Sequence, residues 1–163
     1  MPKQAININE NKYSNLKGEI GIIIAKEFLR EYFRKKKPQF LDIHNYPLEL
    51  FRSKEKAIFQ GTRLTYKLNI DKDFVKKMFY KEKEKDLMNF FDKQVMEYKP
   101  DLLLSLGGKM HIVEVKCSSS DKKKKKELHS YQRKALSKMA KTFPVMIVYI
   151  SLSDLGISIQ PFS

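Results

Sequence analysis

The chain has 163 residues, and its 33 lysines and arginines against 19 aspartates and glutamates give it a formal net charge of +14. Its length fits one domain with a sizeable core, and a hydrophobic fraction of 42% excludes a disordered basic tail. Charge on this scale predicts a polyanionic partner. Nucleic acid is favoured over a membrane surface, because the basic residues are not gathered with aromatic anchors on one amphipathic helix.

The first part of the chain predicts one long helix. Residues 1–11 are polar and rich in asparagine, as expected of a loosely held arm. Apolar residues then recur at a spacing of three and four over residues 15–36, which is typical of an amphipathic helix, and Pro38 ends it. Residues 40–43 form the first candidate strand.

The middle of the chain is mixed and then helical. Residues 63–70 alternate as a strand would, and Pro47 and Gly61 act as breakers before them. Residues 71–98 carry apolar side chains at helical spacing among lysines and glutamates, which predicts one or two amphipathic helices. The pattern leaves open whether the charged residues 81–85 bend this stretch.

A β-hairpin is predicted at residues 99–116. Two β-prone runs flank Gly107 and Gly108, and a pair of glycines suits the positive backbone angles of a tight turn. Counting back from a two-residue turn pairs Leu106 with Lys109, and the same register continues along both strands.

This register brings two carboxylates together. Asp101 lies opposite Glu114, and directly opposed residues have Cβ atoms roughly 4.5 to 5.5 Å apart. Two carboxylates at that distance repel unless one is protonated or a cation lies between them. The alternation of a strand places Lys116 on the same face as Glu114, while Val113 and Val115 point into a core.

The last part of the chain predicts a charged loop, a helix and two strands. Residues 118–126 are typical of a solvated loop, or of a flexible arm that contacts a phosphate backbone. A helix over about 127–142 precedes a buried strand at 145–151 and a short edge strand at about 157–159. The lysines of the charged loop are Lys122, Lys123, Lys124, Lys125 and Lys126.

Together these elements predict a single domain over residues 1–163 with an α/β (α+β) fold. A central mixed β-sheet is flanked by helices, with a helical insertion at about 71–98. The single cysteine, Cys117, excludes an internal disulfide, and no apolar run has the length of a membrane span. We therefore expect no membrane association and a cytoplasmic location, in a host cell if the chain is viral.

The hairpin carries the residues with chemical potential. Asp101, Glu114 and Lys116 form an oxygen-rich cation site with an ammonium group beside it, and carboxylates are the ligands that Mg2+ or Mn2+ prefers. Such a metal lowers the pKa of a bound water and neutralises charge on a phosphoryl group, which is what phosphodiester hydrolysis needs. The alternative is a surface ion pair with nearby lysines, worth less than about 1 kcal/mol.

These residues also carry a family resemblance. Pro100-Asp101, followed after 12 intervening residues by Glu114-Val115-Lys116, resembles the motif of the PD-(D/E)XK nuclease superfamily. The chain is most similar to the archaeal and viral Holliday junction resolvase-like endonucleases. The resemblance is clear over residues 98–150, is fainter over 17–33 and fails over 42–95. It implies a restriction-endonuclease-like core and a metal-dependent deoxyribonuclease acting on double-stranded DNA, with branched or junction DNA preferred.

The resemblance also implies roles for individual residues. Asp101 and Glu114 would bind Mg2+ or Mn2+ together with the Val115 carbonyl, and Lys116 would be the catalytic lysine. Gln132 matches a glutamine that the family often carries near the start of the helix after the hairpin.

The family also takes a further glutamate from its first helix. Glu19 matches it in the context Lys17-Gly18-Glu19, and Glu27 is the alternative. Because symmetric cutting of a four-way junction needs two active sites, a homodimer is expected.

A second hypothesis is a non-catalytic DNA-binding protein that retains a nuclease-like fold. The net charge of +14 favours it, and the five consecutive lysines of the charged loop would then carry the binding. The sequence does not distinguish DNA from RNA as the nucleic acid, or junction DNA from linear duplex DNA.

Overall fold

The structure is a computed structural model. Its centre is a five-stranded sheet with helices on both faces. The described residues are 10–43, 56–60, 63–67, 72–118, 128–153 and 156–162. The helices are α1 (Glu10–Tyr32), a 3-10 turn (Arg34–Lys36), α2 (Lys72–Met78), α3 (Glu84–Asn89), a π-helical turn (Phe90–Gln94), α4 (Val95–Glu97) and α5 (Ser130–Ala140). The strands are β1 (Gln39–Leu41), β2 (Lys56–Gln60), β3 (Arg63–Lys67), β4 (Leu102–Leu106), β5 (Lys109–Ser118), β6 (Val145–Ser151) and β7 (Ile157–Pro161).

The main sheet is mixed, which confirms the predicted α/β class. Its strand order is β1-β4-β5-β6-β7, and every neighbouring pair is antiparallel except β5 and β6. Parallel strands need a crossover connection, and α5 lies in that connection. Strands β2 and β3 form a separate antiparallel pair.

Each face of the sheet carries its own hydrophobic core, because successive side chains of a strand point to opposite faces. On one face α1 packs Ala25 and Leu29 against Val113 of β5 and Leu102 of β4. On the other face, helices α2 to α5 pack against the strand residues that alternate with these, such as Ile112. Since Glu114 and Lys116 alternate with Val113, they belong to the α5 face.

The predicted hairpin turn is confirmed. Gly107 and Gly108 have φ angles of +60° and +86°, in the region that favours glycine. The strands pair in the register expected from a two-residue turn, from Leu106 with Lys109 outward to Leu102 with Val113.

Several helices and strands begin or end at other residues than predicted. Helix α1 begins at Glu10, within the predicted arm, and ends at Tyr32, where a 3-10 turn follows and Lys37 takes a left-handed φ of +49°. The charged residues 81–85 do interrupt the second helical stretch, between α2 and α3. The strand at 145–151 is confirmed, as is the edge strand, which extends to Pro161.

Other predicted features lie outside the described residues. These are the breakers Pro47 and Gly61, the end of the strand at 68–70 and most of the charged loop, 119–127. Within the described part of the chain, no helix has the length and hydrophobicity needed to cross a membrane.

Close contact between α1 and β5 depends on Gly21. A Cβ atom at Gly21 would lie 2.9 Å from Cys117 Cβ, which is closer than two carbon atoms approach without displacement. Since Cys117 Cβ is attached directly to the strand backbone, it cannot rotate away. Gly18, three residues earlier on the same helix, has nothing within 4 Å of its Cβ position.

We expect Gly21→Ala to destabilise the fold and Gly18→Ala to stabilise it. Alanine is favoured over glycine in a helix by roughly 0.5 to 1 kcal/mol, which Gly18→Ala gains in full. At Gly21 the same gain is offset by overpacking against Cys117, which typically costs about 1 to 3 kcal/mol. Urea unfolding of both variants checks this, and equal stabilisation by the two would contradict the close contact.

Candidate active site

Asp101 and Glu114 lie side by side at the open end of the hairpin. The last β4–β5 pair joins Leu102 with Val113, so Asp101 precedes the strand. Its Oδ2 accepts a hydrogen bond of 2.8 Å from the backbone N–H of Val115. The Asp101 side chain thus takes the place of a backbone partner for β5, and this holds the carboxylate next to Glu114.

Glu114 is a buried acid with only one oxygen bonded. Glu114 is only 2% exposed, and its Oε1 accepts a hydrogen bond of 2.7 Å from the hydroxyl of Tyr98. Within the described residues, its Oε2 has no hydrogen-bond donor. A buried acceptor without a donor is costly, so this oxygen marks a position where a positive group would be stabilised.

Burial and a like charge both act on Glu114. Burial disfavours the charged carboxylate, and the neighbouring Asp101 carboxylate repels it, so the pKa of Glu114 is raised to about 8. Burial and the charge of Glu114 likewise raise the pKa of the Tyr98 hydroxyl above its ordinary value. Tyr98 is therefore a hydrogen-bond donor at neutral pH.

Lys116 lies on the predicted face and contacts Gln132. Its Nζ donates a hydrogen bond of 3.0 Å to Gln132 Oε1, and the same oxygen accepts the backbone N–H of His129 at 3.1 Å. The second contact caps the start of α5. Gln132 Nε2 donates to the Tyr98 hydroxyl oxygen at 3.3 Å. One glutamine side chain thus links β5, the start of α5 and the segment before β4.

Tyr98 was not among the residues predicted from the sequence. It follows α4 and stands three residues before Asp101, so no strand or helix period places it opposite Glu114. Its nearness to Asp101 in sequence was the one available signal. Its ring also packs edge-on against Tyr131, with centroids 6.3 Å apart, although Tyr131 is itself 63% exposed.

Glu19 is not brought to this pair. It is exposed on α1, and α1 packs through Gly21 against Val115 and Cys117, on the sheet face opposite Glu114. Among the residues that the structure describes, no group of three or more His, Cys, Asp or Glu side chains is arranged to hold a metal ion. The alternative, Glu27, is exposed and forms an ion pair with Arg30 on the same helix.

The predicted phosphate contacts from Lys122 to Lys126 fall in the part of the chain that the structure does not describe. The candidate active site therefore consists of Asp101, Glu114, Lys116, Gln132 and Tyr98. Four of these five residues were predicted from the sequence.

The donor set fits a hard divalent cation. Two carboxylates, one with an oxygen that lacks a donor, are the ligands that Mg2+ and Mn2+ prefer. The N–H and C=O of one strand residue point to the same lateral side. Because the Val115 N–H faces Asp101, its carbonyl is directed to the same edge, beyond the last β4–β5 pair. A cation there would be held by Asp101, Glu114 and the Val115 carbonyl.

We expect the metal-free protein to lose stability as pH rises. Glu114 stays protonated in the folded state up to about pH 8, whereas the unfolded chain releases this proton above about pH 4.5. Its contribution is therefore complete below pH 4.5 and is lost towards pH 8, with a slope of up to about 1.4 kcal/mol per pH unit. Glu114→Gln keeps the size and shape of the side chain but removes the carboxyl group that titrates.

Urea unfolding in chelator from pH 5 to 9 checks this, with Glu31→Gln, at an exposed glutamate of α1, as the control. The stability of the wild type and of Glu31→Gln should fall relative to Glu114→Gln as pH rises. Added Mg2+ or Mn2+ should restore the wild type at high pH and leave Glu114→Gln unchanged. If the stability of all three proteins changed with pH in the same way, this would contradict a raised pKa of Glu114.

The chain matches no protein-family model, no curated protein and no solved structure. What the site can do must therefore be argued from its residues and their contacts.

Proposed function

We propose that the chain is a Mg2+- or Mn2+-dependent endonuclease that hydrolyses phosphodiester bonds in DNA. The observation that carries the proposal is the adjacent pair Asp101 and Glu114, with Lys116 on the same strand face as Glu114. Glu114 is almost fully buried beside a second carboxylate and has an oxygen without a donor in the described structure. With both carboxylates ionised, this arrangement is unfavourable without a cation, and two ionised carboxylates are what a metal-assisted hydrolase requires.

Each side chain of the site has a role in this proposal. A bound Mg2+ or Mn2+ would activate water and polarise the phosphoryl group. Asp101 and Glu114 supply the negative oxygens that hold it, and Tyr98 fixes the Glu114 carboxylate through Oε1. Lys116 brings a positive charge to the phosphate oxygens, and Gln132 positions its ammonium group. In the proposed role Tyr98 and Gln132 are positioning residues.

The order of elements around the site supports the resemblance to PD-(D/E)XK nucleases. A first helix is followed by a hairpin that carries Asp101 on one side and the Glu114-Val115-Lys116 run on the other. A helix with Gln132 in its first turn follows and packs on the same sheet face. The restriction-endonuclease-like core, and a preference for branched DNA, belong to this proposal.

Asp101→Asn and Glu114→Gln should each reduce DNA cleavage at least about 100-fold, because each removes a charge that holds the cation. Lys116→Gln should have a similar effect through the lost positive charge at the phosphate. The measurement is cleavage of labelled junction, flap, linear and single-stranded DNA with Mg2+ or Mn2+. A chelator should abolish cleavage.

Matched controls are Asp92→Asn, Glu31→Gln and Lys141→Gln, which make the same changes at exposed positions away from the site. They should keep wild-type activity. Glu19→Gln is informative because α1 lies on the other sheet face, and we expect it to keep activity within a few-fold. Cleavage that survives in both Asp101→Asn and Glu114→Gln would rule the proposal out.

If junction DNA is the substrate, two active sites are needed and we expect a homodimer. Helix α1 offers a surface for a second copy, because Leu16, Ile20 and Ile23 are exposed on it at helical spacing. Ile23→Glu should then convert a dimer to a monomer in sedimentation experiments, whereas Glu27→Gln on the same helix should not. A monomeric wild type at micromolar concentration would contradict this.

A second candidate is a non-catalytic DNA-binding protein with the same fold. The observation that favours it is the lack, among the described residues, of a third acidic group beside Asp101 and Glu114. It predicts salt-sensitive DNA binding that does not respond to metal or to Glu114→Gln, together with no cleavage of any DNA form. The cleavage assay above distinguishes the two candidates.

A further inference from the structure

A cavity at the closed end of the hairpin is strongly basic. Its volume is 820 Å³, and it lies around the Gly107-Gly108 turn, at the opposite end of the hairpin from Asp101. Along β5, the five steps from Lys109 to Glu114 span roughly 17 Å at about 3.4 Å per residue. The cavity, here called the lysine groove, is therefore separate from the candidate active site. Its basic and aromatic lining consists of Lys35, Lys36, Lys37, Lys81, Lys109 and Tyr80.

Among the described lining residues of the lysine groove, positive charges outnumber negative ones. In the described part of the chain, none of its five lysines forms an ion pair, and all five are exposed. Glu82 is the one carboxylate in the lining, and its Oε1 already accepts the backbone N–H of Met110 at 3.1 Å. Ammonium groups gathered in a concave surface attract phosphate groups.

His111 also lines the groove. Its ring is half-buried there, and burial is the main cause that lowers its pKa below the ordinary value; the charge of Lys36 acts in the same direction.

The wall that carries Tyr80 and Lys81 is fixed to the hairpin turn. The Lys81 N–H donates to the Gly108 carbonyl at 3.1 Å, and the buried Ser105 hydroxyl donates to the Met78 carbonyl at 2.8 Å. The Tyr80 ring lies against Gly108 so closely that a Cβ there would be 2.7 Å from it, yet Tyr80 remains 64% exposed. An aromatic ring is therefore held in place at a basic surface with most of its area accessible.

We propose that the lysine groove binds a single strand of nucleic acid, with lysines on the phosphates and Tyr80 stacked on a base. A positive groove with an accessible aromatic ring is the combination that single-strand binding uses. The volume lies in the range of pockets for ligands of drug size, roughly 300 to 1,000 Å³, which suits a few nucleotides of a single strand. The choice of nucleic acid over another phosphate chain rests on the proposed function.

The test is binding of a labelled oligothymidylate by fluorescence anisotropy, in chelator so that no cleavage occurs. The double variant Lys36→Gln with Lys109→Gln removes two charges from the groove. The control, Lys85→Gln with Lys93→Gln, removes two charges from exposed positions outside it. Tyr80→Leu removes the ring, and Tyr80→Phe retains it. Thermal unfolding of each variant verifies that it is folded.

We expect the groove double variant to bind at least about 10-fold more weakly, with a salt dependence shallower by about 1.4 for two phosphate contacts on a single strand. The control pair should change affinity less than about 3-fold. Tyr80→Leu should weaken binding at least about 5-fold, and Tyr80→Phe should restore it.

Three results of the direct binding assay would overturn the proposal. They are equal losses in the two double variants, binding that is indifferent to Tyr80→Leu, and a matched duplex that binds as tightly with the same sensitivity to the groove variants. Competition by inorganic tripolyphosphate as effective as that by the oligonucleotide would also overturn it, in favour of a free phosphate chain. Because the assay needs no cleavage, its failure leaves the nuclease proposal standing, and an inactive nuclease leaves this measurement intact.

Discussion

The electrostatic cost of the Asp101–Glu114 pair is the constraint around which the site is organised. Glu114 is withdrawn from water beside a second carboxylate, and both effects raise its pKa. Within the described residues only Tyr98 donates to it, through one oxygen. A fold that needed this position only for packing would gain stability from an apolar residue there, since Ile112 and Ile147 lie in the core on the same sheet face. On the proposed function, this cost is offset when the pair binds a divalent cation.

The surrounding residues limit the freedom of that pair. Gln132 uses its oxygen twice and its nitrogen once, so Lys116, the start of α5 and Tyr98 are fixed relative to one another. Asp101 is held in place through the backbone N–H of Val115. Because these contacts come from α5, β5 and the segments before β4 and α5, local unfolding of any one of them would disorder the site.

The hairpin itself, and the residues on it, could be predicted from the sequence, since a strand has a fixed period of two and a two-glycine turn sets the register. Those two facts are enough to predict that Asp101 lies beside Glu114. They also predict that Lys116 lies on the same strand face as Glu114. Tyr98 and the lysine groove could not be predicted in this way. Tyr98 lies outside any period, and the groove combines residues near 36, 81 and 109, which meet only through tertiary packing. The position of Glu19 likewise depends on which sheet face α1 covers, and the amphipathic pattern of α1 does not encode this.

The two ends of the hairpin carry opposite charge in a chain whose net charge is +14. At the closed end, lysines outnumber the carboxylate in the described lining, so the proposed binding of a phosphate chain would need no cofactor. At the open end the carboxylates repel phosphate unless a cation neutralises them. Binding and chemistry would then depend on different conditions: the first on salt concentration, through the lysines, and the second on divalent metal, through Asp101 and Glu114. On these two proposals, a polyanion would be held by the protein before the open end becomes competent to react. The distance along β5 would keep the two proposed sites electrostatically distinct, because roughly 17 Å exceeds the screening length of about 8 Å at physiological salt.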